Sequence, residues 1–285
     1  MRELLVRYLD AWTPAVLRSH RSATYLEAGH DDVAAAALRV FGEFADRLAG
    51  HDLDVVLLRP AGEPLTAALR ELGEPQGLTL RSVEDPGDLT VTGPVLAHLD
   101  VTAGGVLDED TAWRLVASLV PGRAREVLLA LPPATADQVT AHRTRLHEAG
   151  LTCAVTVELA DEDQHAQLLL FATSSDKHLA TFKNELWSAD EFAGIRYRDP
   201  RDEEHTLVDI SLTPQLRPLR RALLDELARR GTCTVADLQR HTLHETIYRP
   251  TDTVGVLTSA ASAGAITREP AKGRLSPRTV VSHRR

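Results

Sequence analysis

Four residues stand where an open α/β sheet binds nucleosides. Glu27 and Gly29 follow one apolar run (ATYL), Asp85 follows another near Leu78 to Val83, and Asp100 ends a third, PVLAHLD. Carboxylates at the carboxyl ends of parallel strands can accept from ribose hydroxyls or from an amine, and a glycine lets the backbone approach a ligand closely. This placement puts Asp85 near a base and Asp100 at the reacting end of a nucleoside; the competing reading makes all four a turn and helix caps. A second set is cationic. Arg240, Arg249, Lys272 and Arg274 flank a helical stretch that begins at Thr251 and turns Thr251, Asp252, Thr258, Ser259 and Ser262 outward. That face is polar but not basic, which suits positioning on phosphates better than reading of base edges.

The charge distribution separates the two sets. Residues 216–285 carry thirteen Lys and Arg against six Asp and Glu, a balance of +7, while the whole chain of 285 residues stands at −9. Residues 1–215 therefore stand at −16, with 19 basic and 35 acidic groups. Opposite signs on two parts of one chain imply two partners, and only the basic part suits a polyanion.

Other combinations carry less. His30, Asp31 and Asp32 are adjacent on a loop, and neighbours of that kind rarely converge on one ion, so Asp31 or Asp32 reads as the N-cap of a helix beginning at Val33. His20, His51, His98 and His142 are scattered and read as solvated or satisfied. The two cysteines, Cys153 and Cys233, supply neither a disulfide framework nor a cysteine-based zinc site, so no metal is expected. The opening MRELLVRYLDAW lacks the apolar run of a signal peptide, and no stretch approaches the roughly 18–20 apolar residues of a membrane span, so a reduced, cytoplasmic location is expected.

The elements that must position these residues follow from periodicity. Leu4, Leu5, Tyr8, Leu9 and Trp12 recur at helical spacing over Arg2 to His20, and Val33, Ala37, Val40, Phe41, Phe44 and Leu48 do so over Asp32 to Leu48. DVVLLR at Asp54 to Arg59 reads as a strand covered on both faces. Strands near Leu78 to Val83, Pro94 to Asp100 and Arg125 to Leu131 alternate with helices at Pro64 to Leu72, Asp110 to Leu119 and Ala134 to Ala149, which implies a mainly parallel sheet. Cys153 to Ala160 and Gln167 to Ser174 follow with only the acidic turn Asp161 to Gln164 between them, so they must form an antiparallel hairpin. A helix at Asp176 to Trp187 stacks Leu179, Phe182 and Leu186, and GIRYRDPRDEEH reads as a link or surface hairpin leading to Leu207 to Leu212. Crossovers closed by such a hairpin predict an α/β class I methyltransferase-like Rossmann sheet. Beyond it, helices at Gln215 to Arg230, Val235 to His241 and Thr251 to Ala263, with strands at Ala265 to Glu269 and Arg278 to Ser282, predict a winged helix-turn-helix.

The segment ATSSDKHLATFKNELWSADEFAGIRYRD resembles one in the three-Cys-motif partner proteins, on Thr173, Lys183, Trp187, Asp190 and Gly194. The resemblance extends loosely to RELLVRYLDAW, to PVLAHLD and to the carboxyl-terminal segment. It implies a methyltransferase-like domain over residues 1–210, with 176–210 as a helical and linker extension, fused to a winged helix over 211–285. Glu27, Gly29, Asp85 and Asp100 would then face S-adenosylmethionine. This sequence departs from that pattern where the cofactor would sit: the loop Leu26 to Asp32 has one glycine and three nearby carboxylates, and the second strand ends in Leu58, Arg59 and Pro60 where a ribose-binding acid belongs. The expected function is a degenerate cofactor domain joined to a winged helix that binds DNA. An active nucleic-acid methyltransferase, and a non-catalytic scaffold that docks a partner protein, stay open beside it; for the helix at Asp176 to Trp187, Lys183 and Trp187 read as packing before function.

Overall fold

Burial of one face explains the first helix, α1 (Arg2–Ser19), whose Leu4, Leu5, Tyr8, Leu9, Trp12 and Val16 are all buried. Each such side chain contributes about 1.5–3 kcal/mol on leaving water. The computed structural model describes residues 1–59, 62–73, 75–91, 93–102, 105–119, 124–160, 166–188, 196–202, 204, 206–208 and 215–284. The acidic turn 161–164, together with Pro60, Asp190 and Gly194, lies outside the described residues.

Five strands follow the crossover pattern: β1 (Ser22–Ala28), β2 (Asp52–Leu57), β3 (Leu78–Ser82), β4 (Val95–Asp100) and β5 (Arg125–Leu131). Between them run α2 (Asp31–Glu43), the short α3 (Ala45–Leu48), α4 (Glu63–Leu72) and α5 (Glu109–Leu119). After α6 (Ala136–Glu148), the strands β6 (Cys153–Ala160) and β7 (Ala166–Thr173) pair antiparallel, and α7 (Asp176–Ser188) follows. The strand order is β3-β2-β1-β4-β5-β7-β6, with β7 antiparallel to β5. This is the sheet of a class I methyltransferase Rossmann fold. α1, α2, α4 and α7 contribute to one hydrophobic cluster, α5 and α6 to the other.

Three expectations need correction. The long second helix is broken at Phe44 into α2 and α3. Helix α2 begins at Asp31 with His30 as its N-cap, and no side chain caps it, so neither Asp31 nor Asp32 plays that part. The polar segment after α7 is no mere link but takes the hairpin alternative, and as part of the sheet: β8 (Arg196–Arg198) pairs antiparallel with β6 and β9 (Leu207–Val208) with β8, extending the sheet by two strands. Tyr197 accounts for this, since it buries its ring and donates its hydroxyl to the Leu186 carbonyl at 3.1 Å.

Residues 215–284 form α8 (Arg217–Arg230), β10 (Thr232–Thr234), α9 (Val235–Glu245), α10 (Pro250–Ser262), β11 (Ile266–Glu269) and β12 (Val280–His283), with a three-stranded antiparallel sheet ordered β10-β12-β11. Gly231 and Gly264 follow α8 and α10 at positive φ, as left-handed helix ends require. Thr234 caps α9 reciprocally with Asp237. The core of this module, including Leu219, Leu223, Leu238 and Val281, belongs to the same buried cluster as α1 and α7.

Candidate functional site

At the carboxyl end of β1, Glu27 is fully buried. Parallel register sets it directly beside His98 of β4, and His98 Nδ1 lies 2.7 Å from Glu27 Oε1. Tyr25, two residues earlier on the same face, donates its hydroxyl to the other carboxylate oxygen. Gly29 closes over this pair, because a Cβ there would stand 2.6 Å from Glu27 Oε1 and 2.8 Å from His98 Cε1. The glycine expected to admit a ligand is thus packed against the chain's own side chains. Asp100 is 3% exposed and accepts from the Thr102 amide at 2.9 Å and the Thr102 hydroxyl at 2.5 Å, with His30 Nε2 3.9 Å away.

At the end of β2, Arg59 donates to Asp31 at the start of α2, and both side chains are largely buried. Gly62 packs on that pair so tightly that a Cβ would reach within 1.7 Å of Asp31 Oδ2. Asp85 accepts from the Gly87 amide at 2.8 Å and lines a separate cavity of about 370 Å³ with Thr111 and Arg114. Glu27, Gly29 and Asp100 are therefore neighbours, while Asp85 serves its own turn.

These residues do not fit S-adenosylmethionine. Glu27 has no face left for a ligand, a cation replaces the ribose-binding acid, and the glycine space is taken. Calorimetric titration with S-adenosylmethionine is expected to give no heat up to about 1 mM, a binding free energy weaker than about −4 kcal/mol. Saturable heat in the micromolar range would overturn this.

A second buried carboxylate, missed in the sequence, lies at the opposite end of the parallel strands, near the start of β5. Glu126 of β5 accepts from Trp12 Nε1 at 3.1 Å and from the Tyr8 hydroxyl, and His178 Nδ1 is 2.9 Å away. Tyr8, Trp12, Glu126 and His178 line a cavity of about 210 Å³ between α1 and α7. Burial keeps Tyr8 and Tyr25 protonated far above the usual tyrosine range, so both remain donors. Burial alone would lower the His98 pKa, but Glu27 outweighs it and raises it; contact with Glu126 raises that of His178. Folded values above the unfolded one near 6.5 mean that both pairs add stability below that pH and lose it as pH rises through the folded values. His142 and His241, lowered by burial, act in the opposite direction. The check is therefore a difference: thermal unfolding of the native chain and of His98→Gln/His178→Gln should diverge more at pH 6 than at pH 8.5. A gap independent of pH would refute the assignment.

The carboxyl-terminal cations are unequal. Arg249 donates to Asp252 at 2.9 and 3.2 Å, and its guanidinium lies 5.1 Å above the Trp187 ring, so packing occupies it. Arg229 and Arg230 both bind Glu226. Arg221 binds Asp202 and Glu204. Arg268 donates to the carbonyls of Ala271 and Gly273, bracing the turn between β11 and β12. Arg240, Lys272, Arg274 and Arg278 are exposed and have no ion pair among the described residues. Thr251 is exposed in the first turn of α10.

No family model matches the chain. No curated protein matches it. Among solved structures, the magnesium protoporphyrin IX methyltransferase of Synechocystis PCC 6803 with bound SAM is 16% identical, over 61% of this chain and 79% of its own, at a TM-score of 0.40. EvdMO1 is 12% identical over 61% of this chain and 42% of its own, at 0.39. An O-methyltransferase family protein from Burkholderia thailandensis is 14% identical over 60% and 55%, at 0.37. This chain thus spans about half the length of the last two. Likeness at that level carries no functional argument; strand order assigns the fold.

Where the two modules meet, the carbonyls at the end of α9 are captured from the sheet module. Lys183 of α7, fully buried, donates Nζ to Thr242, Thr246 and Tyr248 at 2.9, 2.5 and 3.0 Å. Trp187, one turn later, donates to Ile247 at 2.9 Å. Arg143 donates to His244 at 3.0 Å and Arg201 to Glu245 at 2.7 Å. Thr242, His244 and Glu245 belong to the last turn of α9 and the other three acceptors follow it. A helix leaves its last four carbonyls unpaired and slightly negative, so the cationic donors Lys183, Arg143 and Arg201 are well placed there.

Proposed function

We propose that the chain binds duplex nucleic acid through residues 215–284, acting as a winged helix, and that the methyltransferase-like sheet carries this module without using S-adenosylmethionine. The observation that carries this reading is the connection between β11 and β12, the wing of such a module. It presents Lys272, Arg274 and Arg278 to solvent with no carboxylate among the described residues spent on them. Unpaired exposed cations on a chain of net charge −9 suit phosphate contacts. Thr251 at the N-terminus of α10 and Arg240 of α9 would add further contacts, since amides at a helix start also favour phosphate. The small polar face of α10 offers few groups for base edges, so binding is expected to follow shape and charge more than sequence.

Docking of a protein on an apolar face is less well supported. Among the described residues, Val106 is the one large hydrophobic side chain that is exposed. Apolar docking sites require contiguous patches. The resemblance to three-Cys-motif partner proteins agrees with a fused carboxyl-terminal module of this kind.

Fluorescence anisotropy of a labelled duplex with the full chain, across a salt series, tests the reading. Log affinity should fall with log salt at a slope of about −3 to −4 for three or four phosphate contacts. No binding at low salt would sink it, and salt-independent binding would point to apolar docking instead.

A further inference from the structure

We propose that Cys153, Asp176 and His244 form a zinc site that ties the two modules together. The three come from separate elements: Cys153 opens β6, Asp176 opens α7, and His244 lies in the last turn of α9. Cys153 Sγ donates to Asp176 Oδ1 at 3.3 Å, His244 Nε2 stands 3.1 Å from that oxygen, and all three ligand atoms lie within 4.8 Å of one another. Bonds of about 2.3 Å to sulfur and 2.0 Å to nitrogen or oxygen, arranged tetrahedrally, put ligand atoms about 3.3–3.5 Å apart. The two spacings at Asp176 already match that geometry to within about 0.2 Å.

Donor chemistry selects the metal. One sulfur, one imidazole nitrogen and one carboxylate oxygen suit zinc, whereas calcium and magnesium demand many oxygens. The set cannot be a cysteine nucleophile with its base, because the carboxylate, not the imidazole, lies against the thiol. An ion can reach it from solvent: the Asp176 side chain is 58% exposed, and His244 lines a cleft of about 510 Å³. On binding, the thiol releases its proton to solvent, a sulfur–zinc bond replaces the hydrogen bond to Asp176, and water completes the fourth position. Cys153 and Asp176 belong to the sheet module and His244 to the segment whose carbonyls Lys183 and Trp187 hold, so the metal would fix the same junction.

The test titrates the full chain, stripped with chelator, with cobalt(II) and then zinc. One equivalent of cobalt should bind with Kd tighter than about 10 µM, give a thiolate-to-cobalt charge-transfer band in the near ultraviolet, and be displaced by zinc. Zinc should also raise Tm. Cys153→Ser should lose the band, and His244→Gln should bind at least about 10-fold more weakly. Cys233→Ser should behave as the native chain, and circular dichroism confirms that each variant folds. The proposal fails if the native chain binds more weakly than about 10 µM or without the band. It fails equally if binding survives Cys153→Ser/His244→Gln unchanged, which would mean adventitious capture by other histidines.

Discussion

Lys183→Met is expected to lower stability by about 3–5 kcal/mol. Methionine matches the unbranched four-atom stem of lysine, so packing is largely kept while the ammonium is lost. The carbonyls of Thr246 and Tyr248 then lose this donor in a buried place, while that of Thr242 keeps the Thr246 hydroxyl at 2.9 Å. Each unsatisfied buried acceptor costs about 1–3 kcal/mol. Burial pushes the Lys183 pKa well below the usual lysine range, Arg201 and Arg143 add to that push, and Asp199 and Glu245 oppose it. An ammonium has three protons, and the three carbonyls take all of them, which is why the group tolerates its position. Against a net stability of about 5–15 kcal/mol, the loss is large. Hydrogen exchange should locate it, with amides of residues 242–249 exchanging faster while those of β1, β4 and β5 hold. Trp187→Phe, which keeps a ring and removes the donor to Ile247, should cost about 1 kcal/mol and serves if the methionine variant does not fold. A methionine variant as stable as the native chain would show that the junction does not depend on the ammonium.

That junction was half legible in the sequence. Leu179, Phe182 and Leu186 announced the buried stripe of α7, and Lys183 and Trp187 fall on the same side at i and i+4, which is why they read as packing. Nothing local could reveal that their partners are carbonyls about sixty residues away, since backbone acceptors leave no trace in side-chain pattern. The sheet was legible because a hairpin without a crossover helix can only sit antiparallel at the end of a parallel series. The strands β8 and β9 were not, being three and two residues long in a polar segment. At the candidate site, Glu27 and Asp100 stood out as acids ending apolar runs. His98 did not, although it interrupts the run of β4 at the height where Glu27 ends that of β1; only the register between strands makes them a pair. Arg59 was noticed as a missing acid, and the structure adds its partner, Asp31. Cys153, Asp176 and His244 carry no local spacing signal at all, because three elements meet there.

Reversing the wing charges, Lys272→Glu/Arg274→Glu/Arg278→Glu, is expected to weaken duplex binding by at least 100-fold at about 100 mM salt and to flatten the salt slope by about 3. Each lost phosphate contact removes about 0.9 from the slope, and the three new carboxylates add repulsion. The module's balance of +7 falls to about +1, while residues 1–215 remain at −16 and offer nothing to replace the lost attraction. Because all three side chains are exposed and without ion pairs among the described residues, the fold should not register the change, and Tm should move by no more than about 2 °C. Three reversals elsewhere give the control: Arg2, Arg39 and Arg70 of the sheet module form exposed pairs with Asp32, Glu71 and Glu63. Such pairs are worth little, so the control should fold, and its duplex affinity should change by less than about 3-fold. Equal losses in both variants would reduce the effect to overall charge. An unchanged affinity in the wing variant would remove the connection between β11 and β12 from the interface, leaving Arg240 and the start of α10 to account for any binding. The docked geometry sharpens the comparison. Since Lys183 and Trp187 of α7 hold the segment leading into α10, a wing variant that keeps its Tm also keeps that helix placed, and a lost affinity then belongs to the missing cations.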